Sequence, residues 1–214
     1  MNIARLPQSS EKSIMKRTVI FDLGGVYFSD GTRQAIDKIA AGYGVDRRAV
    51  AGFLNGGAGA SYRTGRITVD QFWQQATTLW EIQASAAELS MTWCESYQPI
   101  RGTVRLVEQL RTADHQLLYL SDNTQERVAY LEEKYGFLKN FDDGVFSHLA
   151  RLKKPDSMIY DLVLAKAFNP AAACVYIDDK PDYLLPAKDL GMQVIAFKNA
   201  SQLAAEFKEL LLLS

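Results

Sequence analysis

Apolar residues gather along this chain in short runs that are too dense to alternate. "RTVIFD" (Arg17 to Asp22), "QLLYLSD" (Gln116 to Asp122), "GVFS" (Gly144 to Ser147), "CVYIDD" (Cys174 to Asp179) and "QVIAF" (Gln193 to Phe197) are nearly continuous in aliphatic and aromatic side chains. Strands covered on both faces of a parallel sheet read this way, whereas half-exposed strands alternate apolar and polar. Between the runs, apolar positions recur at helical spacing. In "TQERVAYLEEKYG", Val128, Leu131 and Tyr135 share a face and Gly136 supplies the stop. "PDSMIYDLVLAKAF" puts Pro155 at a first helical position, ahead of Met158, Ile159, Leu162 and Val163. Strand and helix alternate, so the pattern predicts an α/β fold with a doubly wound parallel sheet.

One segment breaks the alternation. Roughly 70 residues between Asp30 and Ile100 contain no convincing strand, which is too long for a plain connection. "FWQQATTLW" and "AAELSMTWCESY" are amphipathic, with Phe72, Trp73, Trp80, Trp93 and Tyr97 as packing residues. The expectation is a helical cap over residues 30–100, inserted into a core made of 1–29 and 101–214. "GGAGAS" (Gly56 to Ser61) lacks the Gly-Lys-Ser/Thr ending of a phosphate-cradling loop and follows no strand, so it is expected to be a flexible cap loop. Residues 1–14 read as a polar tail, and Met15 as an alternative start.

Composition narrows the function. The chain has 214 residues, 48% of them hydrophobic and 23% charged, enough for a substantial core and incompatible with disorder as the main state. Lys and Arg number 24 against 25 Asp and Glu, with no basic run, so no nucleic-acid or anionic-membrane footprint is visible. No apolar stretch approaches the roughly 20 residues that cross a bilayer, and the first residues lack the apolar region of a secretory signal. A cytoplasmic protein is expected. Cys94 and Cys174 make no disulfide framework, and His115 and His148 stand apart from any zinc-like spacing.

The chemistry collects at strand ends, where open parallel sheets bind ligands. The first strand delivers Asp22, the second Ser121, Asp122 and Asn123, and the fourth Asp178 and Asp179. Lys154, held extended by the proline after it, points toward the same edge. Adjacent acids repel unless a hard cation such as Mg²⁺ resolves the repulsion through oxygen ligands. The plainer alternative, that Asp178 and Asp179 cap the next helix, is weakened by Asp182, which stands behind Pro181 ready for that task. Beside a metal, Asp22 becomes a candidate nucleophile toward phosphorus, with Ser121 donating to a phosphoryl oxygen and Lys154 neutralising developing charge.

"VIFDLGGV", "LYLSDN", "KKPDSMIY" and "VYIDDKPDYLLPAKDLGMQVIAF" resemble, in order, the four motifs of the haloacid dehalogenase superfamily. They span about two thirds of the chain. The match is most similar to the branch with a helical cap after the first motif, which includes sugar-phosphate phosphatases and the phosphatase domain of soluble epoxide hydrolase; "YRTGRITVDQFW" is similar to a cap segment of that branch. The resemblance implies a Rossmann-like core and a Mg²⁺-dependent phosphatase acting on a small phosphorylated metabolite, such as a sugar phosphate, through an aspartyl-phosphate. It implies Asp22 as nucleophile and metal ligand, the Gly24 backbone carbonyl and the pair Asp178 and Asp179 at the metal, with Asp179 in direct contact, and Ser121, Asp122, Asn123 and Lys154 around the phosphoryl group.

The family's phosphatases usually carry an acid where this chain has Gly24, and that acid protonates the leaving oxygen, a contribution of roughly 10²–10⁴-fold. Two alternatives therefore stand beside the phosphatase. One is dehalogenase or phosphonate-hydrolase chemistry, although the acidic pair is superfluous to the first and Lys38 alone offers the cap lysine needed by the second. The other is a binding or regulatory protein that keeps the phosphate site without turnover. Arg63, Arg66, Tyr62 and Trp73 are the cap residues placed to meet a substrate, with Arg63 and Arg66 equally suited to solvent.

Overall fold

The computed structural model describes residues 16–210 and 212–213. The polar tail expected over residues 1–14 and the alternative start at Met15 lie outside the described residues. In chain order the elements are β1 (Thr18–Phe21), α1 (Gly31–Tyr43), α2 (Arg47–Asn55), α3 (Gly57–Arg63), α4 (Val69–Trp80), α5 (Ala86–Cys94) and α6 (Arg101–Thr112). Then follow β2 (Gln116–Ser121), α7 (Gln125–Tyr135), β3 (Asp143–Phe146), α8 (Ser147–Ala150), α9 (Ser157–Leu164), β4 (Cys174–Asp178), α10 (Pro181–Asp189), β5 (Gln193–Ala196) and α11 (Ala200–Glu209).

The five strands form one parallel sheet in the order β3-β2-β1-β4-β5. The first strand in sequence is thus the central one. Val19, Phe21, Leu117, Val175 and Ile177 face the core shared with α6, α11 and the inserted helices, while Ile20, Leu118, Leu120 and Tyr176 face Ile159, Tyr160 and Val163 of α9. Both faces are covered, which is why the strand sequences are continuous in apolar residues. The pairing of Phe21 with Ile177 sets the register that brings Asp22 level with Asp178, and the Asp22 amide extends the ladder to the Ile177 carbonyl at 2.9 Å.

Six helices, α1 to α6, lie between β1 and β2, and the first five fall within the segment between Asp30 and Ile100. Asp30 caps α1, Asp46 caps α2, and capping boxes open α4 (Thr68 with Gln71) and α5 (Ser85 with Glu88). Phe72 stacks on Tyr62 at 4.5 Å and on Trp93 at 5.9 Å, and Trp73 meets Trp93 edge-on, so the aromatics of this segment are packing residues as the pattern implied. "GGAGAS" is not a loop: Gly57–Arg63 is helical, and Gly59 allows the helix to pass against the Leu54 carbonyl, 1.9 Å from where a β-carbon would sit. Helix α9 also begins later than the sequence suggests. Pro155 precedes it, Asp156 is the cap accepting from the Met158 amide at 3.0 Å, and Ser157 is its first residue.

Candidate active site at the carboxyl end of the sheet

Beyond Phe21 the chain leaves the sheet in a tight loop. The Tyr27 and Phe28 amides both bond the Leu23 carbonyl, and the Gly25 amide returns to the Phe28 carbonyl. Gly25 has φ +103°, and a β-carbon there would lie 2.5 Å from Asp179 Oδ2, so this glycine both turns the chain and admits the Asp179 carboxyl. Gly24 differs. Its φ lies outside the left-handed region, and a β-carbon would meet only Tyr97 Cε1, at 3.5 Å.

Lys154 is the hub of the site. Fully buried, its Nζ donates to Asp22 Oδ1 and Asp178 Oδ2, each at 2.7 Å, and to the Leu120 carbonyl at 3.2 Å. Its own amide donates to Asp122 Oδ1 at 3.1 Å. Burial alone would lower the Lys154 pKa, but Asp178 and Asp22 outweigh it and hold the ammonium well above the lysine range. Burial dominates at Asp22 and, opposed by Lys154 but reinforced by Asp178, lifts its carboxyl to about 7. Asp179 is raised as well, by burial and then by Asp178.

The acidic pair divides into two different residues. Both oxygens of Asp178 are committed: Oδ2 accepts from Lys154 and from the Tyr176 hydroxyl, and Oδ1 accepts from the Lys180 amide at 2.9 Å. Asp178 thus orders the amide of Lys180, the cap residue of α10, a helix without a side-chain capping bond; Asp182, expected to cap it, is exposed in its first turn. Asp179 Oδ1 is buried and has no partner. Ligand atoms from Asp22, Asp178 and Asp179 lie within 4.8 Å of one another. Three carboxylates with one orphaned buried oxygen are the donor set of a hard divalent cation, so these residues fit Mg²⁺.

A cavity of about 540 Å³ opens over this cluster, lined on the sheet side by Asp22, Gly24, Asp122, Lys154 and Asp179 and on the helical side by Arg33, Arg47, Arg63 and Tyr97. Ser121, Asn123 and Asp178 are buried and do not line it. The Asn123 side-chain oxygen is occupied by Arg127 Nε and the Thr124 amide, and its own amide donates to Ser147 Oγ at 2.9 Å. Arg63, read as equally suited to solvent, is half-buried: Nη1 donates to the Leu54 carbonyl at 2.8 Å and the guanidinium lies over Trp93. Arg66 is exposed. Tyr62 and Trp73 do not reach the cavity; both are buried, and the Tyr62 hydroxyl donates to Glu126 at 2.8 Å. His115 is a core residue bonded by the Arg17 amide and to the Leu212 carbonyl, and His148 packs on Phe146.

Three participants escaped the sequence reading. Tyr176 could have been found, because a residue two places before Asp178 on a strand shares its face. Lys180, whose ammonium lies over the Tyr183 ring and lines the cavity, follows Asp179 directly. Arg127 gave no signal: it sits in a charged helix, yet only 2% of it is exposed, between the rings of Trp93 (4.8 Å) and Tyr97 (4.7 Å).

Residues 19–197, from β1 through β5, match the family of haloacid dehalogenase-like hydrolases. The chain belongs to this family. Among curated proteins it is similar to a sesquiterpene phosphatase of Aspergillus oryzae, 23% identical over 197 residues that cover 91% of this chain and 96% of the relative. Among solved structures it resembles a haloacid dehalogenase family enzyme of Bacteroides thetaiotaomicron (TM-score 0.75, 18% identity, 90% of this chain and 98% of that one), which has also been solved in complex with magnesium and inorganic phosphate (TM-score 0.72). The L-2-haloacid dehalogenase of Xanthobacter autotrophicus shares the fold at a TM-score of 0.64 and 18% identity, covering 91% of this chain and 83% of its own.

Proposed function

We propose that this hydrolase is a Mg²⁺-dependent phosphatase of a small phosphorylated metabolite, with Asp22 as the nucleophile. The observation that carries the reading is the arrangement around Lys154. One ammonium holds Asp22 and Asp178 while Asp179 keeps an unpartnered buried oxygen, so the cluster combines a positioned carboxylate with oxygen donors suited to a cation. Mg²⁺ held by Asp22, Asp179 and the Gly24 carbonyl, with Asp178 behind them, would supply charge neutralisation for the phosphoryl oxygens.

The protein's own groups then account for the rest. Asp22 Oδ attacks phosphorus, the bond to the ester oxygen breaks, and an aspartyl-phosphate forms; water then attacks that phosphorus and the bond to Asp22 breaks, releasing phosphate. Lys154 opposes the rise that burial imposes on the Asp22 carboxyl and, by holding Oδ1, fixes that carboxyl at the cavity wall. Ser121, Asp122 and Asn123 form the strand-end turn around the phosphoryl group, Asn123 by holding the turn through Arg127 and Ser147. Residues 30–100 act as the cap over this site and residues 1–29 and 101–214 as the catalytic core. The sesquiterpene phosphatase among the relatives supports an organic monoester as the substrate class, and the cavity offers both apolar and cationic walls to its alcohol part. No helix among the described residues is long and apolar enough to cross a membrane, in keeping with a cytoplasmic enzyme.

Phosphate release from a panel of sugar, isoprenoid and aryl phosphates, with Mg²⁺ and with EDTA, tests the proposal. Release should require Mg²⁺ and fall by at least about 10³-fold in Asp22→Asn, which removes the nucleophile with little change of shape. Undiminished release by that variant would refute covalent catalysis, and no release from any ester would refute the phosphatase reading.

A further inference from the structure

An alkoxide leaves phosphorus poorly unless it receives a proton, so an enzyme acting on alkyl phosphates needs a donor beside the nucleophile. The carboxylates that line the cavity are already engaged. Asp22 is the proposed nucleophile, Asp179 belongs to the cation site, Asp122 accepts from the Lys154 amide, and Asp30 caps α1 by accepting from the Arg33 amide at 3.1 Å. Lys154 is shared between two carboxylates. Gly24, next but one to the nucleophile, has no side chain to offer.

The space beside Gly24 holds Tyr97. Its Cε1, the ring atom next to the hydroxyl-bearing carbon, is 3.5 Å from where a Gly24 β-carbon would be. On its other edge the ring occupies the place of a side chain at Gly31, whose β-carbon would fall 2.2 Å from Tyr97 Cδ2. Gly31 thus makes room for the phenol, and Gly24 borders its other edge at van der Waals distance. The Arg127 guanidinium covers the ring at 4.7 Å, and the Tyr97 hydroxyl lies 2.7 Å from Thr32 Oγ1, which also accepts from Trp93 Nε1 at 3.2 Å. With Trp93 filling one lone pair of Oγ1, the threonine proton is free to turn to Tyr97 Oη, which releases the phenolic proton toward the cavity that Tyr97 and Thr32 both line.

We infer that Tyr97 is the proton donor to the departing ester oxygen, a role that rests on the phosphatase reading above. As the phosphorus–oxygen bond breaks, the phenolic proton passes to the alkoxide and leaves a phenolate, stabilised by the Thr32 hydroxyl and the cation of Arg127. In the second half the phenolate takes a proton from the water that attacks the aspartyl-phosphate, and the phenol is restored. Charge and protons balance over the cycle. Among the described residues Tyr183 is the one rival phenol lining the cavity, but its ring lies against the ammonium groups of Lys154 and Lys180, at 5.1 and 5.0 Å, on the core side.

The test compares phosphate release from 2-phenylethyl phosphate, whose alkoxide needs a proton, with release from 4-nitrophenyl phosphate, whose phenolate does not. Tyr97→Phe keeps the ring between the two glycines. It should lower kcat on the alkyl ester by about 10²-fold and on the aryl ester by less than about threefold, with KM little changed. Adding Gly24→Asp to Tyr97→Phe should restore alkyl turnover, since a β-carbon is tolerated there. Thr32→Val, which removes the hydroxyl partner, should show the same selectivity at about tenfold and serves if Tyr97→Phe is misfolded by circular dichroism. Equal losses on both esters, no loss on either, or the selective loss appearing in Tyr183→Phe would overturn the assignment while leaving the phosphatase intact. A wild type that releases phosphate from neither ester, nor from the metabolite panel, would overturn both.

Discussion

Among the described residues one lysine and one arginine are buried, and they are buried in opposite ways. Lys154 lies among carboxylates, with Asp22 and Asp178 at 2.7 Å. Arg127 has no carboxylate within 4 Å among the described residues; it is held by the Asn123 side chain, the Asp122 carbonyl and the faces of Trp93 and Tyr97, and its Nη1 has no partner at all. A localised ammonium needs full countercharge when dehydrated, whereas a delocalised guanidinium tolerates carbonyls and π-faces. The difference teaches which cluster answers to charge and which to shape. Lys154 counters the effect of burial on Asp22, and Arg127 joins α5 and α7 behind the strand ends through the Trp93 ring and the Asn123 side chain.

The sharpest way to break this contrast is to remove each cation without changing size. Lys154→Met leaves Asp22 and Asp178 facing each other and should cost about 3–5 kcal/mol in chemical denaturation without metal. Mg²⁺ should return part of that stability, although phosphate release should not recover. A cost below about 1 kcal/mol would mean that the pair is not carried by Lys154.

The pH dependence sharpens the same point. The folded Asp22 carboxyl keeps its proton up to about 7, against an ordinary value of 3.8, and Asp179 is raised in the same direction. Between those values the folded state binds more protons than the unfolded one, so stability is greatest at the acid end and falls as pH rises from about 4 to about 7. Urea midpoints of the metal-free protein should follow this slope, and Mg²⁺, which competes with the protons, should flatten it. A midpoint rising across that range would contradict the ionisation described here.

Arg127→Met should cost about 2 kcal/mol through the lost bond to Asn123 and the lost stacking. It should leave Mg²⁺ affinity, measured by calorimetry, unchanged. A change in affinity as large as that of a ligand variant would place Arg127 within the charge network after all. The smallest effects separate neighbours in sequence: Asp179→Asn should weaken Mg²⁺ by about tenfold or more, while Asp182→Asn, exposed on α10, should do nothing.

Much of the core was legible because burial on both faces writes itself into composition. All five strands were located within a residue or two, and the residues at their ends, Asp22, Lys154, Asp178 and Asp179, converge as read. What remained hidden depended on tertiary partners. Arg127 reads as a solvated helix residue because nothing local reveals that Trp93 and Tyr97, about 30 residues earlier in the chain, will close over it. "GGAGAS" reads as a loop because glycine lowers helix propensity, yet here small residues let α3 approach α2. Tyr97 was placed correctly as a packing residue, but its position at the cavity depends on the missing side chain of Gly31, 66 residues earlier in the chain.

The central place of β1 in the sheet governs the order in which the molecule can be built. Asp22 and Lys154 are 132 residues apart in sequence, and Thr18–Phe21 pairs with Gln116–Tyr119 on one side and Cys174–Ile177 on the other. During synthesis the strand that ends at Asp22 emerges first but has no neighbours until β2, and then β4, have left the ribosome. The helices of the inserted segment rest on local contacts and fold early, whereas the sheet waits for distant pairing and forms slowly. Until β4 arrives, an apolar strand with two open edges must be shielded from other chains, and the carboxylate at its tip stays in water, ionised and inert. Catalytic competence is therefore among the last properties a nascent chain acquires.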